Sequence, residues 1–212
     1  MNVVVAGGHG KIAQQLLRLL AERGDRARGL IRNSDHAADL EALGAEAVEC
    51  DMEMEEDLAP FVEGADAVVF AAGAGPGSGP ERKRTVDLGA ALKLIEAARA
   101  RGIDRYLMVS AIGAGRPEES SEQMRPYIQA KADADAALER SGLDFTIVRP
   151  GGLTDDPGSA RVSAGTEIGY GQVPREDVAA TLAACLGEPN TVGKTFDLLE
   201  GETPIEEALR SL

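Results

Sequence analysis

The chain has 212 residues, 43% of them apolar and 27% charged, which suits one globular domain and is too short for two of ordinary size. Its formal net charge of −14 repels nucleic-acid phosphates and anionic lipid, so neither nucleic acid nor a membrane surface is expected as a partner. Cys50 and Cys185 stand far apart without metal-ligand spacing, which argues against a disulfide framework or a structural zinc site and suits a reducing cytosol.

Asn2–Ala6 is a short β-branched run without a basic flank, too short for a signal peptide. No stretch approaches the roughly 20 apolar residues of a membrane span, so a cytoplasmic protein is expected. Lys11–Arg23 spaces Ile12, Leu16, Leu17 and Leu20 as a helix, and Gly24 ends it. Ala27–Ile31 reads as a second strand, and Ser34–Leu43 as a helix with Ser34 as N-cap and Gly44 as terminator. Ala45–Glu49 is a third, weaker strand. The acidic run "EMEEDL" reads as a solvated helix start rather than a metal site, because it lacks histidine and EF-hand spacing.

Ala65–Ala71 is almost wholly apolar, as expected of a strand buried on both faces. Thr85–Arg101 follows as a helix with Leu88, Ala91, Leu92, Ile95 and Ala98 on one face. Strand Ile103–Val109, helix Pro126–Ser141 and strand Leu143–Val148 continue the alternation. The tail adds a helix at Arg175–Leu186, a strand near Thr195–Leu199 and a short helix at Ile205–Leu209. This alternation implies an α/β fold, a doubly wound parallel sheet with helices on both faces, in a single domain.

Between the first strand and the first helix, Gly8-x-Gly10-x-x-Ala13 fits the dinucleotide fingerprint G-x-G-x-x-G/A. The first glycine is expected to make the tight turn, the second to admit a pyrophosphate, and Ala13 to let helix and strand pack closely. The helix N-terminus then offers unpaired N–H groups to phosphate. His9 either donates to that phosphate or stands solvated in the loop. Roughly 20 residues further on, where an NAD site carries an acid, the chain has Arg32 and Asn33. A guanidinium suits a 2′-phosphate, so NADP(H) is expected over NAD(H), unless Arg32 is an ordinary solvated residue.

Tyr127 and Lys131 are four apart and so share one helix face. An ammonium there is expected to favour tyrosinate and draw the phenol pKa down from about 10. Such a phenol can exchange the proton that accompanies hydride transfer at a carbonyl. The bland alternative is an exposed Tyr–Lys pair. Ser110 lies in "VSAIG" and not in G-x-S-x-G, so no hydrolase is indicated.

Read as Gly7-x-x-Gly10-x-x-Ala13, the glycine loop resembles that of the atypical, NAD(P)H-binding short-chain dehydrogenase/reductases. "GLIRN" looks like their Arg-bearing segment and "CDM" like their adenine-side turn. "FAAGAG" looks like the loop after their fourth strand, "MVSAIG" like their strand-five serine, and "YIQAK" is their YxxxK pair. "LDFTIVRPGGLTDDPG" resembles their strand-six segment with its Pro-Gly turn. The resemblance runs nearly end to end and leans toward small bacterial oxidoreductases akin to flavin/biliverdin reductases and epimerase-type proteins.

That resemblance implies a Rossmann-type domain with a small substrate-side segment from about residue 150. It implies a cofactor held by Gly7, Gly8, His9, Gly10, Lys11, Ile12, Arg32, Asn33, Asp51, Met52, Ala71, Ala72 and Gly73, and on the nicotinamide side by Pro150, Gly151, Gly152 and Leu153. Lys131 would bond the nicotinamide ribose, Tyr127 would move the proton and Ser110 would hold the substrate oxygen, with no metal. The implied activity is NADP(H)-dependent oxidation or reduction of a small carbonyl, quinone or flavin-like molecule. The alternatives are a non-catalytic NAD(P)-binding sensor and a sugar-nucleotide epimerase or dehydratase. The short segment after the sixth strand speaks against the last. The substrate pocket is expected to take its walls from "GAGPGSGPERKR", "GAGRPEESSEQM" and the segment after Gly152.

Overall fold

Burial alternates along β1 (Asn2–Ala6): Val3 and Val5 enter one core, Val4 and Ala6 the other, and all four are fully buried. A strand covered on both faces requires helices on both sides of its sheet. The computed structural model describes residues 1–75 and 77–212; Pro76, in the expected wall "GAGPGSGPERKR", lies outside them. After β1 come α1 (Lys11–Glu22), β2 (Arg26–Ile31), α2 (Ala37–Ala42), β3 (Glu46–Glu49), α3 (Ala59–Val62) and β4 (Ala67–Phe70). Next stand α4 (Pro80–Arg82), a π-helical stretch Lys83–Ala90 and α5 (Ala91–Ala100), then β5 (Arg105–Val109), α6 (Arg125–Glu139) and β6 (Asp144–Pro150). The remainder is β7 (Gly152–Thr154), β8 (Arg161–Gly165), β9 (Gln172–Pro174), α7 (Arg175–Cys185), β10 (Lys194–Glu200), β11 (Thr203–Pro204) and α8 (Ile205–Arg210).

The large sheet runs β3-β2-β1-β4-β5-β6-β10-β8-β11. Every pairing from β3 to β10 is parallel, and β8 and β11 add an antiparallel edge. One face carries α1, α7 and α8, with Leu16, Leu17, Val178, Leu182 and Leu209 in its core; the other carries α3, α5 and α6, with Val62, Leu94, Ile95 and Leu138. Strand order reverses between β1 and β4. In open α/β sheets that reversal leaves a crevice at the carboxyl ends of the strands.

Four local expectations change. The sheet is not wholly parallel, because the chain after β6 returns to pair β8 and β11 beside β10. The helix near Ser34 is capped by Asn33, whose Oδ1 accepts from the Asp35 N–H at 3.0 Å, and its first turn is 3-10 before α2 begins. The run "EMEEDL" is a turn, and α3 starts after it, at Ala59. The helix expected over Thr85–Arg101 starts earlier and winds as a π-helix through Lys83–Ala90, a form that recurs at functional sites.

The glycine roles are also redistributed. Gly7, and not Gly8, makes the turn: its φ is +79°, and a Cβ there would lie 2.7 Å from Ala72 Cα. The loop after β1 therefore closes directly on the loop after β4. Gly8 serves packing instead, since its Cβ would lie 2.8 Å from Gly29 Cα in β2. Gly7→Ala is expected to destabilise the fold by about 1–3 kcal/mol, the scale of a non-glycine residue forced into this backbone region. Urea unfolding checks this, and an unchanged midpoint would show that the two loops can part freely.

Candidate functional site

A cavity of about 430 Å³ occupies the crevice at the strand reversal. The loop after β1 contributes Gly7, His9 and Gly10, and the end of β2 contributes Arg32 and Asn33. Asp51 and Met52 follow β3, and Ala71, Ala72 and Gly73 follow β4. These ten residues, expected from the sequence to touch a cofactor, thus meet around one space. At Gly10 no side chain caps α1, so the first N–H groups of that helix remain for a ligand. Gly8 and Ile12 do not line the cavity, Ile12 being buried in the α1 core. Lys11 turns to the other side of the loop, where its ammonium pairs with Asp155.

The histidine is held rather than loosely solvated. His9 stacks on His36 with ring centroids 3.6 Å apart, and its Nε2 lies 2.9 Å from Asp39 Oδ2. Asn33 spends its carbonyl on the helix cap. Asp51 Oδ1 accepts from the Glu53 N–H at 3.0 Å, which shapes the turn. Arg32 is 57% exposed at the cavity rim, with Nη1 3.6 Å from Glu53 Oε2. Arg82, from α4, also lines the cavity and reaches the same oxygen at 3.4 Å.

A buried polar cluster lies beneath the ends of β5 and β6. Lys131 is 3% exposed. Its Nζ donates to the Val109 carbonyl at 3.1 Å and faces Asp87 Oδ1 at 3.2 Å, an ion pair without hydrogen-bond alignment. Asp87 sits in the π-helical stretch, fully buried, and its Oδ2 accepts from the Ala74 N–H at 3.2 Å. The same ammonium stands 5.9 Å from the centre of the Tyr127 ring, over which Lys83 Nζ approaches to 4.7 Å. Tyr127 and Lys131 are thus adjacent on α6.

One expectation about this cluster is corrected, and Ser110 has a partner the sequence did not show. The Tyr127 phenol is held above its ordinary pKa, not below: burial dominates, and Asp87 and Asp135 oppose the lowering by Lys131. Ser110 is buried and donates to Asp135 Oδ2 at 2.9 Å, the oxygen that also accepts from Arg149 Nε at 2.8 Å. Asp135 is itself shifted upward by burial, although Arg149, Ser110 and Lys131 pull the other way.

The Pro150–Leu153 turn lies outside the large cavity. Gly151 is required by the chain itself, since a Cβ there would meet the Gly171 carbonyl oxygen and Leu199 Cδ2 at 2.4 Å each. Leu153 pairs with Val173 between β7 and β9 and is partly exposed. Sequence reasoning missed Glu53, Arg82, Asp87 and Asp135. Asp87 and Asp135 carried a signal, each as an acid on the buried, largely apolar face of its helix.

Among the described residues, no group of three or more His, Cys, Asp or Glu could hold a metal ion, and no helix is long and apolar enough to cross a membrane. A glycine cradle, an uncapped helix start and two guanidiniums around one cavity fit a dinucleotide's diphosphate and adenosine half.

Known proteins agree with that fit. The "Uncharacterized sugar epimerase YhfK" of Bacillus subtilis (strain 168) is 45% identical to this chain, with 100% of both covered. A solved structure from Bacillus halodurans, named for NAD-dependent epimerase/dehydratase activity, is 38% identical over 100% of both chains, with a TM-score of 0.95. The oxidoreductase ylbE of Lactococcus lactis is 27% identical, covering 100% of this chain and 96% of its own, with a TM-score of 0.87. The profile of the NAD(P)H-binding proteins matches residues 7–189, and this chain belongs to that family.

Proposed function

We propose that the protein is a cytoplasmic, NADP(H)-dependent oxidoreductase of the short-chain dehydrogenase/reductase type that reduces a small carbonyl, quinone or flavin-like molecule. One observation carries this reading. Asp87 bonds the Ala74 N–H in the cavity wall and pairs with Lys131 beside Tyr127, so one buried carboxylate links the cavity wall to the Tyr–Lys pair, which itself stands outside the cavity lining. The hydride would come from NADPH held in that cavity. Lys131 has three N–H donors and the Val109 carbonyl takes one, so the ammonium keeps donors for a ribose hydroxyl while Asp87 balances its charge.

Tyr127 sets the direction. A phenol kept protonated by burial is an acid, so it hands its proton to the substrate oxygen as the carbonyl carbon gains hydride. Ser110 stays with Asp135 and Arg149, which supports the floor of the site rather than the substrate oxygen. Turnover of NADPH with a quinone, flavin and small-carbonyl panel tests the reading. Tight NADPH binding without turnover on any substrate would favour the sensor instead.

The names of two relatives favour an epimerase as the second reading. An epimerase first withdraws hydride, which calls for a phenolate as base, and the buried phenol opposes that. The chain after β6 also adds only the small β7-β9 sheet, of three-residue strands, before and between the segments that rejoin the large sheet. Interconversion of nucleotide sugars by the purified protein would establish the second reading over the first.

Arg32 carries the cofactor preference. Arg32→Ala is expected to weaken NADPH by about 1.5–3 kcal/mol, the scale of a charged hydrogen bond, and to leave NADH nearly unchanged. Calorimetry with both cofactors reads this, and equal losses would assign Arg32 to the adenosine or the fold.

A further inference from the structure

Glu53 has no part in the reading above, yet it lines the dinucleotide cavity. The turn that carries it is pinned from behind: Lys93 Nζ donates to the carbonyls of Met52, Glu53 and Glu55 at 3.0, 3.1 and 2.6 Å. With its backbone so anchored, the side chain reaches across the cavity. Oε1 accepts from the Thr85 hydroxyl at 2.7 Å. Oε2 lies 3.6 Å from Arg32 Nη1 and 3.4 Å from both Nε and Nη2 of Arg82.

Two guanidiniums from different elements, the end of β2 and α4, thus converge on one carboxylate oxygen. Both contacts are longer than the 2.7–2.9 Å of a tight charge-assisted bond. The two arginines are 57% and 42% exposed, against 25% for Glu53. Pairs so exposed are worth little and exchange partners readily. A phosphate monoester carries nearly two charges and three acceptor oxygens, so it is the better partner for both forks.

We propose that Glu53 is a tethered carboxylate that competes with a 2′-phosphate for Arg32 and Arg82, and so sets how strongly the protein prefers NADP(H) to NAD(H). The proposal rests on the cavity taking a dinucleotide. Without a ligand phosphate the carboxylate offsets one of the two guanidinium charges. NADPH displaces it, and the phosphate must overcome both the pairing and the repulsion of a nearby acid. NADH brings no phosphate and leaves Glu53 in place. Arg82 becomes the second arm of the phosphate clamp.

Calorimetry of NADPH and NADH against wild type, Glu53→Gln and Arg82→Ala tests this. Glu53→Gln keeps the side-chain length and an acceptor for Thr85, and should tighten NADPH about five- to tenfold while NADH stays within about twofold. Arg82→Ala should weaken NADPH selectively. Glu53→Asp keeps the charge but withdraws it by one methylene, so it should tighten NADPH in the same direction by less. It also serves if Glu53→Gln does not fold. Unchanged or weaker NADPH binding in the Glu53 variants overturns the proposal. Selective loss of NADH overturns it too, because Glu53 would then be the acid that holds an unphosphorylated ribose. Wild-type protein that binds neither cofactor fails earlier, at the dinucleotide reading itself.

Discussion

Tyr127→Phe is expected to lower carbonyl reduction by about 10²–10⁴, the usual worth of general acid catalysis, while NADPH affinity stays unchanged. The substitution removes one hydroxyl and keeps the ring, so the packing beneath Lys83 persists. Direction of proton flow makes the prediction specific. Because burial holds the phenol above its ordinary value, the wild-type protein should keep its acid, and its rate, across the neutral range. A rate lost in the neutral range would mean that Lys131 wins over burial and that the phenol deprotonates early. Flavins and quinones can accept hydride without a protein acid. A Tyr127→Phe protein inert on carbonyls but active on quinones therefore keeps the reductase and restricts the phenol to carbonyl substrates. Undiminished carbonyl turnover would remove Tyr127 from the chemistry.

Lys131→Met is expected to cost about 3–5 kcal/mol of stability, the penalty for leaving one partner of a buried ion pair uncompensated. Both partners are almost completely withdrawn from solvent, with side-chain exposures of 4% and 0%. The methionine also leaves the Val109 carbonyl without the ammonium it accepts from. A second substitution separates charge from packing. Asp87→Asn added to Lys131→Met keeps an acceptor for the Ala74 N–H and removes the stranded carboxylate, so the double variant should recover most of the loss in urea unfolding. A single-variant loss below about 1 kcal/mol, or a double variant no more stable than the single, would show that Asp87 escapes burial once Lys131 is gone. The pair also explains why Lys131 has limited capacity to activate Tyr127. Its charge is balanced within the protein before any substrate arrives.

Much of this architecture follows from local sequence. The β-branched run at Val3–Val5, the helical spacing of Ile12, Leu16, Leu17 and Leu20, and the glycines between them specify strand, turn and helix through interactions a few residues apart. The apolar character of β4 likewise marks a strand covered on both faces. The ten expected residues around the large cavity were legible because each follows the carboxyl end of a strand, and a parallel sheet brings those ends together.

What escaped the sequence was decided by long-range pairing. Strands β7, β9 and β11 have two or three residues each, too few to display a period, and they form because partners distant in the chain align with them. The division of labour between Gly7 and Gly8 depends on Ala72 and Gly29, which only the folded sheet brings near. The convergence of Arg32 and Arg82 on Glu53 joins three segments whose spacing carries no information about one another. Tyr127 shows the limit most clearly. The four-residue step to Lys131 is visible in the sequence and argues for a lowered pKa, but the sign depends on how deeply the phenol is buried and on Asp87, which arrives from another helix, acting with Asp135 of α6. Local spacing determines which groups are neighbours on one element; the dielectric around them, and the charges that other elements bring, exist only in the tertiary structure.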